Sequence, residues 1–134
     1  MVEARVQWID GERFLGSGTS GHAIAIDSDR KSNTASGPME LVLIALCGCT
    51  ATDVVSILRK KREPFTSVVV NAEAERATEA PTVYTSIRLV YRIGGKVSKE
   101  AAEHAVSLSK NKYCSVSQML GKTAKIDFEI EYVD

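Results

Sequence analysis

The stretch Ser36–Arg62, SGPMELVLIALCGCTATDVVSILRKKR, decides the fold. It carries no charge from Leu41 to Cys49 and reads as one long helix around which the rest of the chain is arranged. Ser36 or Gly37 can cap its start, and Pro38 suits the first turn, where a missing N–H costs no hydrogen bond. Glu40 in the first turn and Arg59, Lys60, Lys61 and Arg62 at the far end complement the helix dipole. Pro64 biases Glu63 away from helical backbone. About 25 residues at ~1.5 Å each make a rod of roughly 37 Å, long for a chain of 134 residues. Because the run is apolar nearly all round, the helix needs cover on every side. A single sheet covers one side, so a second copy is expected to supply the rest, in a two-fold homodimer.

Working outward, Val2, Ala4, Val6 and Trp8 alternate with Glu3, Arg5 and Gln7 as a first strand. Asp10-Gly11 signals a hairpin into a second strand, Arg13 to Gly18. Ser20-Gly21 turns again, and His22, Ile24 and Ile26 mark a third strand. The polar segment Asp27 to Gly37 leads to the helix. Beyond Pro64, Thr66 to Ala77 and Val83 to Ile93 alternate as two long strands, and Gly94-Gly95 stops the second. Ser98 opens a helix over KEAAEHAVSLSK, with Ala101, Ala105 and Leu108 on one side. In NKYCSVSQML, Asn111 to Leu120, Ser115 and Gln118 have capping-box spacing and Gly121 can close a short helix. Lys125 to Val133 alternates Ile126, Phe128, Ile130 and Tyr132 with charged residues. The order βββ-α-ββ-α-α-β is that of an α+β protein with antiparallel sheets, expected as a single domain over residues 1–134.

Composition narrows the function. Seventeen basic residues balance 17 acidic ones, and no basic tract is interleaved with aromatic residues, which argues against nucleic acid as a partner. The apolar run from Leu41 to Cys49 is short of the ~20 residues of a membrane span. No signal or transit pattern opens the chain. Three cysteines without a leader indicate a reducing, cytoplasmic setting in which a structural disulfide is not expected.

Cys47 and Cys49 point about 200° apart on a helix and cannot pair with each other; the third cysteine is Cys114. Cys49 lies where the helix turns from apolar to polar, with Thr50, Thr52 and Asp53 following. A partly open thiol there suits reactivity, while a free cysteine also serves as a small buried hydrophobe. Gly48 lets another backbone come close. Asp53, one turn on, would raise the Cys49 thiol pKa if close and ionised. Cys114 sits at or just before the cap of the short helix, near Lys110 and Lys112, a setting that favours the thiolate; ordinary packing accounts for it equally well. Cys47, among Leu43, Ile44 and Ala51, reads as core. His22 and His104 have no partner at metal-ligand spacing, so no metal is expected. The SxxK string Ser107 to Lys110 lies mid-helix without its companions. Gly16, Gly18 and Gly21 precede strand pattern rather than a dinucleotide-binding helix.

Gly37-Pro38-Met39-Glu40, Leu46-Cys47-Gly48-Cys49-Thr50 and Lys112-Tyr113-Cys114-Ser115-Val116, taken with the element order, resemble the OsmC/Ohr family. The resemblance covers nearly the whole chain and is closest to the short OsmC-like, YhfA-type branch. It implies an intertwined α+β homodimer with two long central helices packed together. It also implies reduction of organic and inorganic hydroperoxides by thiols, an antioxidant stress response without metal, haem or flavin cofactor. Cys49 matches the peroxidatic cysteine and Cys114 the resolving one. In the implied cycle the Cys49 thiolate becomes a sulfenic acid, Cys114 condenses with it to a disulfide, and an external dithiol restores both.

The family also holds its reactive thiolate with an Arg that a Glu steadies. That Glu usually follows the helix-opening Pro directly. Here Met39 stands there, and Glu40 is one residue on, about 100° around the helix. Arg13, in the Gly11-Glu12-Arg13 turn, is the nearest match to one branch, and Arg30 lies nearer where another branch keeps its Arg. The resemblance thus implies Cys49, Cys114, Glu40 and Arg13 as site residues. The departures keep two alternatives open: a non-catalytic dimer that binds a small apolar ligand at its interface, and a structural stress protein with inert thiols.

Overall fold

The computed structural model describes all residues from Met1 to Asp134. Its strands are β1 (Ala4–Asp10), β2 (Arg13–Gly18), β3 (Ala23–Asp27), β4 (Phe65–Arg76), β5 (Tyr84–Gly95) and β6 (Lys125–Val133). Its helices are α1 (Pro38–Lys60), α2 (Lys99–Leu108) and α3 (Ser115–Leu120), with one π-helical turn, Ser109–Tyr113, between α2 and α3. The chain is α+β in the expected order. It divides into two compact units, Met1–Ile44 and Ala45–Asp134.

In the first unit, β1, β2 and β3 form an antiparallel sheet in that order. Gly11 makes the first hairpin turn with φ +48°, a conformation that glycine adopts without steric cost. Val6, Trp8, Leu15 and Ile24 are exposed on this sheet. The polar segment that follows is a built loop. The buried Asp27 carboxylate accepts hydrogen bonds from the Asp29 and Thr34 N–H groups and the Ser32 and Thr34 hydroxyls. These bonds, those from Thr34 and Ser32 foremost, hold its carboxyl well below the usual carboxylate range. Arg30 donates to the Asp27 and Ala35 carbonyls and to Asn33 Oδ1. Gly37 packs on this guanidinium, where a Cβ would lie 3.3 Å from a guanidinium nitrogen.

In the second unit, β5 is the central strand of a sheet ordered β4-β5-β6. β4 pairs antiparallel with β5, but β6 runs parallel to it, which corrects the expectation of wholly antiparallel sheets. The helical connection through α2, the π-turn and α3 carries the chain back across the sheet, as a parallel pairing requires. Ile87, Leu89, Tyr91 and Ile93 of β5 are buried together with Ala101, Ala102, Ala105 and Val106 of α2.

α1 contributes Leu46, Thr50, Val54 and Leu58 to this core, each at most 1% exposed. Four-residue spacing keeps them on one side of the helix. Elsewhere on the helix Leu43, Cys47 and Cys49 are half-buried. Ile44 is 53% exposed, and apart from the helix's own neighbouring backbone nothing lies within 4 Å of where a Gly48 Cβ would be. The expected close backbone approach at Gly48 is therefore absent within one chain. By length and composition alone α1 is apolar enough to cross a bilayer, with a mean hydropathy of 2.2 over its most apolar window. The expectation of too short a run counted only as far as Cys49, whereas the next charge is Asp53. α1 ends with bonds from Glu63 N–H to the Leu58 carbonyl and from Arg62 N–H to the Arg59 carbonyl, both 3.0 Å. This is a Schellman turn with Arg62 at φ +58°. Glu63 then accepts the Ser98 N–H, and Ser98 Oγ caps α2 by accepting the Ala101 N–H.

Candidate active site

α1 presents Cys49, Thr50 and Asp53 within an arc of about 100°. The facing segment is the π-turn after α2. In it, Cys114 N–H bonds the Ser109 carbonyl, five residues back, at 2.8 Å. Cys114 is also the N-cap residue of α3, its Sγ accepting the Ser117 N–H at 3.4 Å. The expected Ser115–Gln118 capping box is therefore not formed, and the cap falls one residue earlier, on Cys114. Gln118 Nε2 instead donates to the Lys110 carbonyl at 2.9 Å, and Ser117 Oγ to the Cys114 carbonyl at 3.0 Å. Side chains thus fasten the segment on both sides of Cys114.

Cys49 and Cys114 lie close enough for the two thiols to act on each other. Cys114 is fully buried, while Cys49 is partly exposed. Burial pushes the Cys114 thiol above its ordinary pKa, and Cys49 pushes it further, against the lowering effect of the Ser117 N–H. The expected preference for thiolate at Cys114 therefore runs the other way. The nearby lysines are directed to rings, Lys110 over Phe128 at 5.3 Å and Lys112 over Tyr113 at 5.2 Å. Burial also raises the Cys47 thiol pKa.

Beside the thiols runs a chain of hydroxyls. Tyr91 Oη lies 2.6 Å from Thr50 Oγ1, which lies 2.7 Å from Ser109 Oγ, which donates to Asp53 Oδ2 at 2.9 Å. Tyr91, Thr50 and Ser109 are all at most 1% exposed. Each hydroxyl has one proton to donate. With the Ser109 hydroxyl donating to Asp53, Thr50 donates its hydrogen bond to Ser109, and Tyr91 donates to Thr50. Burial pushes Tyr91 up to about 12, so its phenol stays a donor. Sequence reasoning missed this chain. The available signal was Thr50, a hydroxyl at the one polar position of the otherwise aliphatic stripe Leu46, Val54, Leu58.

The structure brings Cys49 and Cys114 together. Arg13 and Glu40 belong to the first unit. There Arg13 holds Asp10 through two bonds of 2.7 and 2.8 Å, and Glu40 is exposed in the first turn of α1. Arg30 is engaged by its own loop. In the second unit, Asp53, Ile57, Lys60, Lys61, Leu108 and Tyr113 line a cleft of about 370 Å³.

An α+β fold with a thiol pair spanning a long helix and a short helix cap narrows the class. Residues 31–129 match the family described as OsmC-like protein, and the chain belongs to that family. Protein YhfA of Escherichia coli K12 is 44% identical over 133 residues, 98% of each chain. A hypothetical protein from Aquifex aeolicus VF5, 30% identical, superposes with a TM-score of 0.85 over 100% of this chain and 98% of that one. An organic hydroperoxide resistance protein OsmC from Legionella pneumophila superposes with a TM-score of 0.73 over 98% of this chain and 96% of that one. At 14% identity that last likeness is one of fold alone.

Proposed function

We propose that this protein is a thiol-dependent hydroperoxide reductase in which Cys49 attacks the peroxide and Cys114 resolves the product. The observation that carries the reading is the pair of neighbouring thiols itself, one partly exposed and the other buried. Family membership supports it, and one fold neighbour is an organic hydroperoxide resistance protein. The Cys49 thiolate attacks one peroxide oxygen, the O–O bond breaks, and the alkoxide takes a proton and leaves as alcohol. Cys49 is then a sulfenic acid. The Cys114 sulfur displaces its hydroxyl, which leaves as water with the Cys114 proton, and the S–S bond forms. An external dithiol reduces that bond by exchange and becomes a disulfide, so the two electrons given to the peroxide come from it. Exposure suits this order, since peroxide reaches Cys49 from solvent with Cys114 behind it. A reducing compartment such as the cytoplasm supplies the dithiol.

By resemblance to the family, Arg13 is assigned to stabilise charge at Cys49 and Glu40 to steady that Arg. The working unit in this reading is a homodimer. Support comes from apolar side chains exposed in a single chain, Val6 and Trp8 on the first sheet and Ile44 on α1. The test is consumption of cumene hydroperoxide with dithiothreitol as reductant. Wild type turns over, Cys49→Ser falls to background, and Arg13→Gln slows peroxide consumption without slowing disulfide formation. Equal consumption by wild type and Cys49→Ser overturns the proposal. The 370 Å³ cleft, walled by Ile57, Leu108 and Tyr113, favours one second reading, a binder of small apolar molecules without turnover. That reading requires ligand binding retained in Cys49→Ser and no turnover in wild type.

A further inference from the structure

Three hydroxyls in an aliphatic core, next to a thiol pair, do nothing in the reaction just described. Two of their hydrogen bonds tie α1 to the segment that bears Cys114, and both end on Ser109: Thr50 to Ser109 at 2.7 Å and Ser109 to Asp53 at 2.9 Å. Ser109 also holds Cys114 directly, its carbonyl accepting the Cys114 N–H at 2.8 Å. One residue therefore grips α1 through its side chain and Cys114 through its main chain. The π-turn makes this possible. In α-helical geometry the N–H bonded to the Ser109 carbonyl belongs to Tyr113; the one-residue wider ring puts Cys114 there. Tyr91 extends the clamp to β5 and fixes its direction, since its protonated phenol gives Thr50 a donor and leaves Thr50 free to donate to Ser109.

We propose that Thr50, Ser109 and Tyr91 are positioning residues that clamp the Cys114 segment onto α1 and hold the two sulfurs in register to form a disulfide. The proposal deepens the peroxidase reading and rests on its assignment of Cys49 and Cys114, but the clamp is testable without any peroxide. Attack on peroxide is made by Cys49 and does not use the Cys114 segment. Disulfide formation needs two segments about 65 residues apart in sequence to keep their Cα atoms within ~7 Å. Loosening the clamp therefore acts on the second step alone.

Equilibrating the protein with reduced and oxidised glutathione measures the effective concentration of Cys114 toward Cys49. Thr50→Val removes the hydroxyl at constant shape and lowers that value roughly tenfold to a hundredfold, and Thr50→Ser restores it. Ser109→Ala gives the same loss and serves as the second variant should Thr50→Val fail to fold, as judged by circular dichroism. With peroxide, Thr50→Val diverts the Cys49 sulfenic acid to sulfinic acid at lower peroxide concentration. In a Cys114→Ser background, by contrast, Thr50→Val forms sulfenic acid at the rate of Cys114→Ser alone. Equal effective concentrations in wild type, Thr50→Val and Ser109→Ala overturn the clamp. A wild type that forms the glutathione-poised disulfide yet consumes no peroxide overturns the peroxidase reading and leaves the clamp standing.

Discussion

Replacing Tyr91 with Phe deletes one oxygen from the core. The side chain is fully buried, its hydroxyl lies 2.6 Å from Thr50 Oγ1, and its ring meets Phe128 edge-on at 6.2 Å. Phe keeps the ring contact and loses the hydrogen bond, so the variant is less stable at neutral pH by about 1–2 kcal/mol. The pH dependence works against this difference. Tyr91 titrates at about 12 in the folded protein against an ordinary 10, so the unfolded chain releases its phenol proton first. This contribution is fully present below pH 10 and is lost as pH rises to 12. At 1.36 kcal/mol per pH unit the loss totals about 2.7 kcal/mol, with about half gone by pH 11. The Phe variant has no such proton. The stability gap between the two proteins therefore narrows by roughly 1.4 kcal/mol between pH 9 and pH 11, because Cys47 and Cys114 titrate alike in both. Urea unfolding followed by circular dichroism, at one protein concentration and at pH 8, 9, 10 and 11, measures the gap. A gap that stays constant with pH refutes the reasoning from burial, and no gap at pH 8 refutes the hydrogen bond.

Arg62→Gly removes a side chain from left-handed backbone at the end of α1 and stabilises the protein by roughly 1 kcal/mol; a lower urea midpoint contradicts the Schellman turn. The raised Cys114 thiol makes disulfide formation speed up with pH beyond the ordinary thiol range. Stopped-flow single turnovers from pH 7 to 10 test this, and a flat profile counts against it. Asp27 titrates below its ordinary value, so its contribution is full above that value and falls as pH drops through the folded pKa. Asp27→Asn accordingly unfolds earlier than wild type near neutrality, and the two converge in strong acid.

Much of this architecture could be read from local pattern. Alternation placed every strand, and the helix expected over Ser36–Arg62 is observed over Pro38–Lys60, because Pro38, the closing cations and Pro64 act through nearest neighbours. The parallel pairing of β6 was not legible, since an alternating strand looks the same in either direction. The partnership of Cys49 with Cys114 came from resemblance to a family; spacing alone left both thiols open to an ordinary packing role. Position misjudged the chemistry of Cys114, because lysines near it in sequence lie over aromatic rings and burial dominates. The hydroxyl chain joins α1, β5 and the π-turn through residues 41 and 59 positions apart, a separation no local pattern reports. Thr50 alone broke the aliphatic stripe enough to invite the question.

The most direct measurement treats the fully reduced protein with one equivalent of hydroperoxide, then blocks remaining thiols and maps the peptides. The account predicts a chain lighter by two hydrogen atoms before blocking, and after it the peptides of Cys49 and Cys114 joined within one chain with Cys47 alkylated. Cys49 bearing two added oxygens beside an alkylated Cys114, or no change at either sulfur, contradicts it.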